Sequence, residues 1–261
     1  MTVVAILQAR MSSTRLRGKV LAPILRRPMI ERQIERVKRA RSIEKLIVAT
    51  TIEPEDDAVA EHVGSLGVDC FRGSLHDVLD RYYHAANRYA ASTVVRLTGD
   101  CPLTDWQVID SVIRLHIEGE FDYTSNSVNR TFPRGLDVEA VKFEALMEAW
   151  QEARLPSERE HVTPFVWQQP ERYSVGQLVQ DRDLSDHRWT VDEPADLEFV
   201  RAVYEALYTD KPAFTSKDIA DLVDARPTIA QINASVAQDT GAIRSAPEDK
   251  QLFQQFLGSR K

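Results

Sequence analysis

Arg10, Arg15 and Lys19 lie within one ten-residue segment of small polar residues, Ser12, Ser13, Thr14 and Gly18, directly after the apolar run Val3 to Leu7. Three cations at that spacing can hold an anion, because guanidinium groups grip phosphate bidentately and short side chains let backbone N–H groups approach its oxygens. A basic cluster is more often a solvated surface loop. Here it follows what reads as a buried parallel strand, and open α/β sheets collect ligands outside the carboxyl ends of their strands. The segment therefore reads as a nucleotide or sugar-phosphate loop.

Asp100 and Asp192 form a second constellation. Each ends an apolar run, Thr93 to Thr98 with Gly99 and His187 to Val191 respectively, and each precedes a helical segment. Capping the following helix is what a lone Asp at such a position commonly does. Two carboxylates beside phosphates also suit Mg2+, which keeps several waters and takes only one or two protein carboxylates. Together with the basic loop they suggest a metal–phosphate site of the kind phosphoryl or nucleotidyl transfer needs.

The elements that must position these groups alternate. Strands are expected at Val3 to Leu7, Leu46 to Thr51, Val68 to Phe71 and Thr93 to Thr98. Helices are expected over Glu31 to Ala40 after Pro28, from Pro54 to Gly67, over Leu75 to Ala91, and from Trp106 to His116. Such βα units imply a mainly parallel sheet with right-handed crossovers and helices on both faces. The second half is less regular and mixed pairing is expected there. It offers strands near Asp122 to Asn126, Asp137 to Val141, Tyr173 to Val179 and His187 to Val191. Helices are expected at Phe143 to Ala153, Glu158 to Gln169, from Pro194, and at Ser216 to Val223. The chain divides into a domain over 1–225 and a C-terminal tail over 226–261, either helical or partly disordered.

With 261 residues the chain can bury a full core. A net charge of −7 with its cations concentrated in the N-terminal fifth argues against a general nucleic-acid surface while leaving room for a local phosphate site. No apolar stretch reaches the length of a membrane span and the N-terminus lacks the pattern of a signal peptide, so a cytoplasmic protein with no membrane partner is expected. Cys70 and Cys101 lack metal-ligand spacing and read as small core or near-site residues.

Three motifs carry a resemblance: Gln8-Ala9-Arg10 through Ser13-Thr14-Arg15-Leu16 to Gly18-Lys19, then Leu97-Thr98-Gly99-Asp100-Cys101-Pro102-Leu103, then Arg188-Trp189-Thr190-Val191-Asp192-Glu193-Pro194-Ala195-Asp196-Leu197. In this order, over roughly residues 1 to 208, the chain resembles the cytidylyltransferases that activate acidic sugars, 3-deoxy-manno-octulosonate and acylneuraminate cytidylyltransferases among them. It is most similar to their SpsF-type branch of spore-coat polysaccharide biosynthesis proteins. The resemblance implies a Rossmann-like α/β fold of the nucleotide-diphospho-sugar transferase type, and transfer of CMP from CTP to a sugar with release of pyrophosphate. By motif match, Arg10, Arg15 and Lys19 hold the triphosphate, with Lys19 nearest the charge that develops in transfer. Asp100 and Asp192 hold Mg2+. Ala9, Ser12, Ser13, Thr50, Arg72, Ser74 and Asp100 complete the nucleotide site, and Asn126, Arg134, Asp137, Glu139 and His161 face the acceptor. A homodimer is a further family expectation.

Two residues depart from the sugar-acid pattern, Gln8 and Arg17 each standing where Pro is usual, so the acceptor is less well defined than the nucleotide. Two other readings use the same residues. A glycosyltransferase of related fold normally carries an Asp-X-Asp triplet, which Asp100-Cys101-Pro102 breaks. A non-catalytic nucleotide- or sugar-binding protein would be expected to have lost a site residue, and all five core residues are present.

Overall fold

The protein was analysed as a computed structural model that describes residues 2–237 and Asp249. Strand β1 (Val3–Gln8) leads into the basic loop, which ends in a 3-10 turn at Lys19–Leu21. A small hairpin of β2 (Pro23–Ile24) and β3 (Arg27–Pro28) introduces α1 (Met29–Val37), followed by β4 (Lys45–Thr51), a 3-10 turn at Pro54–Asp56, α2 (Asp57–Ser65) and β5 (Asp69–Gly73). Then come α3 (Val78–Arg88), β6 (Thr93–Thr98), α4 (Trp106–Glu118), β7 (Tyr123–Ser125), β8 (Glu139–Lys142) and α5 (Phe143–Glu152). Short helices α6 (Pro156–His161) and α7 (Pro164–Trp167), strand β9 (Val175–Gln177), and helices α8 (Pro194–Leu207), α9 (Ser216–Ala225) and α10 (Pro227–Ala230) complete the described elements.

Among the described residues, seven strands form one sheet in the order β5-β4-β1-β6-β8-β7-β9. The first four are parallel, β8 runs antiparallel to both β6 and β7, and β9 is parallel to β7. Side-chain alternation divides the core in two. Val3, Ala5 and Leu7 face a layer containing Ile30 and Ile34 of α1, Val59 of α2, Ile109 of α4 and Val200 of α8. Val4 and Ile6 face Leu79 and Tyr82 of α3 and Leu146 of α5. A strand apolar on both faces must be covered on both, which is why β1 sits centrally and its carboxyl end opens between the two helical layers. The expected fold class, a mixed and mainly parallel sheet with helices on both faces, is the one observed.

The second half differs from expectation in two places. His187 to Val191 forms no strand, only an isolated bridge between Arg188 and Arg134. Its amides are divided between two partners: Trp189 N–H donates to Arg134 O at 2.7 Å and Val191 N–H donates to Asp100 O at 2.8 Å, so no single neighbour offers a ladder. The helix expected over Glu158 to Gln169 is two short helices, broken where Val162 adopts φ +75° just before Pro164. A β-branched residue in that region is costly, and such strain persists only where the surroundings impose it. The break faces the site described next.

Candidate active site

A cavity of about 410 Å3 opens at the carboxyl ends of β1 and β6. The basic loop forms one wall. Gly18, at φ +73°, and Ser13 both donate their amides to Met11 O at 2.9 Å, so these two N–H groups close the loop on itself rather than facing a ligand. The Met11 amide donates to Asp56 Oδ1 at 2.6 Å, and Asp56 also accepts from the Thr51 hydroxyl and amide. A buried carboxylate on the 3-10 turn after β4 thus fixes the loop's path. Ala9, Arg10, Ser13, Arg15 and Lys19 line the cavity.

The opposite wall comes from β6. Side chains two residues apart share a face of a strand, so Arg96, Thr98 and, just past the strand's end, Asp100 all reach the cavity. Lys19 spans from one wall to the other. Its Nζ donates to Asp192 Oδ1 at 2.9 Å and to Val191 O at 2.6 Å, and lies 3.5 Å from Asp100 Oδ2. Arg15 pairs with the same Asp192 oxygen at 2.7 Å. Burial disfavours the charged form of Lys19, but Asp100 and Asp192 outweigh it and raise its pKa. Burial likewise pushes the Asp100 carboxyl up, and Lys19 with hydrogen bonds to Thr98 and Cys101 more than reverses the effect.

Neither aspartate caps a helix. Asp105 caps α4 by accepting from Gln107 N–H at 2.8 Å, and Asp196 accepts the Asp192 and Glu193 amides at the start of α8. Both carboxylates are free of that task and converge on one ammonium. Among the described residues no group of three or more His, Cys, Asp or Glu side chains could hold a metal. A pair of carboxylates facing a cationic loop fits Mg2+, which draws its remaining ligands from water and phosphate.

Arg134, Asp137, Glu139 and His161 line the other half of the same cavity. Glu139, at the start of β8, lies opposite Arg96 in the β6–β8 register and pairs with it at 2.8 Å; its other oxygen accepts from the Thr163 hydroxyl at 2.7 Å. The break at Val162 delivers that hydroxyl. Arg134 stands with Arg130 and Arg188 near it, and burial followed by Arg130 lowers its pKa. Asn126 is elsewhere: its fully buried amide donates to Leu136 O and accepts from Val138 N–H, tying down the loop that carries Arg134 and Asp137.

Four expected nucleotide residues do not line the cavity. Arg72 donates to Thr51 O and Glu53 O and pairs with Asp57 at 2.6 Å; the Ser74 hydroxyl accepts from Asp77 N–H. The buried hydroxyls of Thr50 and Ser12, and the Gln8 side-chain oxygen in the cavity wall, have no hydrogen-bond partner among the described residues. Arg96 and Arg130, which the sequence motifs do not include, also line the cavity, as does Glu160 next to His161. Arg96 left a readable signal, a charge inside the apolar run Val94-Val95-Arg96-Leu97 at even spacing from Thr98 and Asp100.

A mainly parallel α/β sheet with clustered cations and carboxylates at its carboxyl edge is an architecture of nucleotidyltransferases. Residues 4–225 match the family described as cytidylyltransferase, and the chain belongs to that family. It is 30% identical over 235 residues to the spore coat polysaccharide biosynthesis protein SpsF of Bacillus subtilis, covering 87% of this chain and 96% of that protein. A cytidylyltransferase structure from Leptospira borgpetersenii superposes with a TM-score of 0.85 at 35% identity, covering 88% of this chain and 97% of that one. CMP:2-keto-3-deoxy-manno-octonic acid synthetase, solved with CTP, shares the fold with a TM-score of 0.60 at 19% identity over 79% of this chain and 99% of its own.

Proposed function

We propose that this chain transfers CMP from CTP to a hydroxyl of an acidic sugar, releasing pyrophosphate, as a Mg2+-dependent step of surface-polysaccharide assembly. The observation that carries the reading is Lys19, a buried ammonium held between Asp100 and Asp192 at the mouth of a cationic loop. Family membership supports the cytidylyl group. Arg10, Arg15 and Lys19 hold the triphosphate, and Mg2+, when bound by Asp100 and Asp192, supplies further neutralisation of phosphate charge. The acceptor oxygen attacks the α-phosphorus as the bond to pyrophosphate breaks. Lys19, kept protonated by its two carboxylates, offsets the negative charge that moves onto the departing oxygens. Arg134, Asp137, Glu139 and His161 receive the acceptor, and Asn126 shapes the loop that presents the first two. Ala9 and Ser13 border the nucleotide, while Ser12 and Thr50 stand behind the cavity wall; Arg72 acts through the β4–β5 edge it ties together, and Ser74 through the turn that leads into α3.

The test is pyrophosphate release with Mg2+, each nucleoside triphosphate in turn and a panel of acidic sugars. Release with CTP and an acidic sugar, lost in Lys19→Ala, is expected. Turnover unchanged in Lys19→Ala, or no pyrophosphate with any triphosphate across the panel, contradicts the assignment.

A further inference from the structure

The matched family region ends at residue 225, yet a side chain eight positions further on is built into the support of Asp192. Asp192 Oδ2 is held by Arg188 Nη2 at 2.9 Å. Arg188 is itself locked by a bidentate pair with Asp196, Nε to Oδ1 at 2.9 Å and Nη2 to Oδ2 at 3.0 Å. Asp196 is fully buried, and its Oδ2 also accepts the Asp192 and Glu193 amides at 2.9 Å each. Asn233 closes the network. Its Nδ2 donates to Arg188 O at 2.8 Å and to Asp196 Oδ1 at 3.0 Å, and the residue is 5% exposed.

We infer that Asn233 is a positioning residue for the carboxylate of Asp192, and that residues 226–237 belong to the catalytic machinery as a clasp rather than to a detachable tail. Asn233 staples the backbone before Asp192 to the first turn of α8. Both anchors of Arg188, its main chain and its carboxylate partner, are therefore tied to each other by one amide. The segment is itself seated: Ile229, Ala230 and Ile232 pack on the core layer that includes Val200 of α8. The chemistry requires this rigidity. Without Arg188 in place, Asp192 Oδ1 still has Lys19 and Arg15, two cations that the proposed reaction assigns to phosphate. A carboxylate held from behind by Arg188 keeps its direction when those two groups turn to the triphosphate; one held only from in front does not.

This inference rests on the assignment of Asp192 as a metal carboxylate, and the experiment separates the two. Binding of Mn2+ to the full chain with saturating CTP is followed by the enhancement of water-proton relaxation over that of Mn2+–CTP without protein. CTP affinity without metal is measured in parallel for wild type and Asn233→Ala. The expected result is three- to tenfold weaker Mn2+ binding in the variant, with metal-free CTP affinity within twofold of wild type. Equal Mn2+ affinity in the two proteins overturns the clasp, and so does a parallel fall in metal-dependent and metal-free binding. No Mn2+ binding by wild type in the presence of CTP overturns the metal assignment of Asp192 and the clasp with it. Hydrogen exchange on the unmutated chain gives a second readout if Asn233→Ala fails to fold: Mn2+ and CTP together should slow exchange in 226–237 as well as in 188–197. Protection confined to 188–197 contradicts the inference.

Discussion

Lys19 is a cation that burial alone would tend to discharge, and Asp100 and Asp192 keep it charged. Because its pKa is raised, the proton stays on through neutral pH and leaves only above the ordinary lysine range near 10.5. Asp100 is shifted the other way, so it remains ionised until the pH falls below its ordinary 3.8. The charges of these two groups are thus constant from about pH 5 to 9, since each pKa is displaced away from that window. A pH–rate profile limited inside that range at both ends by Lys19 and Asp100 would contradict the assignment. Removing Lys19 should cost about 100- to 1,000-fold in kcat, the magnitude found when one preorganised donor to developing charge is deleted. Asp100→Asn and Asp192→Asn should raise the Mg2+ concentration needed for half-maximal turnover while leaving metal-free CTP binding measurable, because the loop cations remain. Identical Mg2+ dependence in wild type and both variants would remove the metal role.

At the scale of elements, the site depends on how closely β1 and β6 converge. Gly99 N–H donates to Gln8 O at 2.7 Å, and a Cβ on Gly99 would meet that same oxygen at 2.8 Å and the Ala9 Cβ at 2.9 Å. Gly99→Ala should therefore destabilise the fold by about 1–3 kcal/mol, as overpacking does, and lower activity by moving Asp100 away from Lys19; thermal unfolding and turnover measure the two effects. The alternating frame of the first half was legible from sequence because β1, β4 and β6 are apolar runs and the helices between them repeat at their own period; the short Pro23–Pro28 hairpin, which has no apolar run, was not. Asp100 and Lys19 could be placed on one edge for that reason alone. The 187–191 segment was not legible, since its apolar pattern reflects burial between the Arg134 loop and the Asp100 turn, while its amides pair with both rather than with one strand. The helix break at Val162 was equally hidden. Nothing local in Glu160-His161-Val162 announces a left-handed backbone, and Pro164 was the only local hint. Arg96 and Glu139 became a pair only when β8 reversed direction beside β6, a pairing set by tertiary packing rather than by either sequence.

For the whole molecule, the two core layers on either side of the sheet leave one edge where the cations Arg10, Arg15 and Lys19 gather on a chain of net charge −7, consistent with a local anion site rather than a general polyanion surface. Among the described residues no helix is long and apolar enough to cross a membrane. Stability carries its own pH dependence through His116, buried on α4 against the Thr124 hydroxyl. Burial, followed by Lys142, lowers its pKa to about 4. The unfolded chain takes up a proton near pH 6.5 that the folded chain refuses until about pH 4, so stability from this group is complete above 6.5 and declines as pH falls through that interval. The loss should approach about 3 kcal/mol at the acid end, at 1.36 kcal/mol per unit; denaturant unfolding at pH 7 and pH 4.5 in wild type and His116→Gln should show a smaller difference in the variant. If the basic loop and the two aspartates form one metal–triphosphate site, calorimetric titration of CTP with and without Mg2+ should show a single site in wild type whose CTP affinity rises with Mg2+, and a fall of at least tenfold in Lys19→Ala. CTP binding that ignores both Mg2+ and Lys19 would show that the loop and the aspartates do not act together.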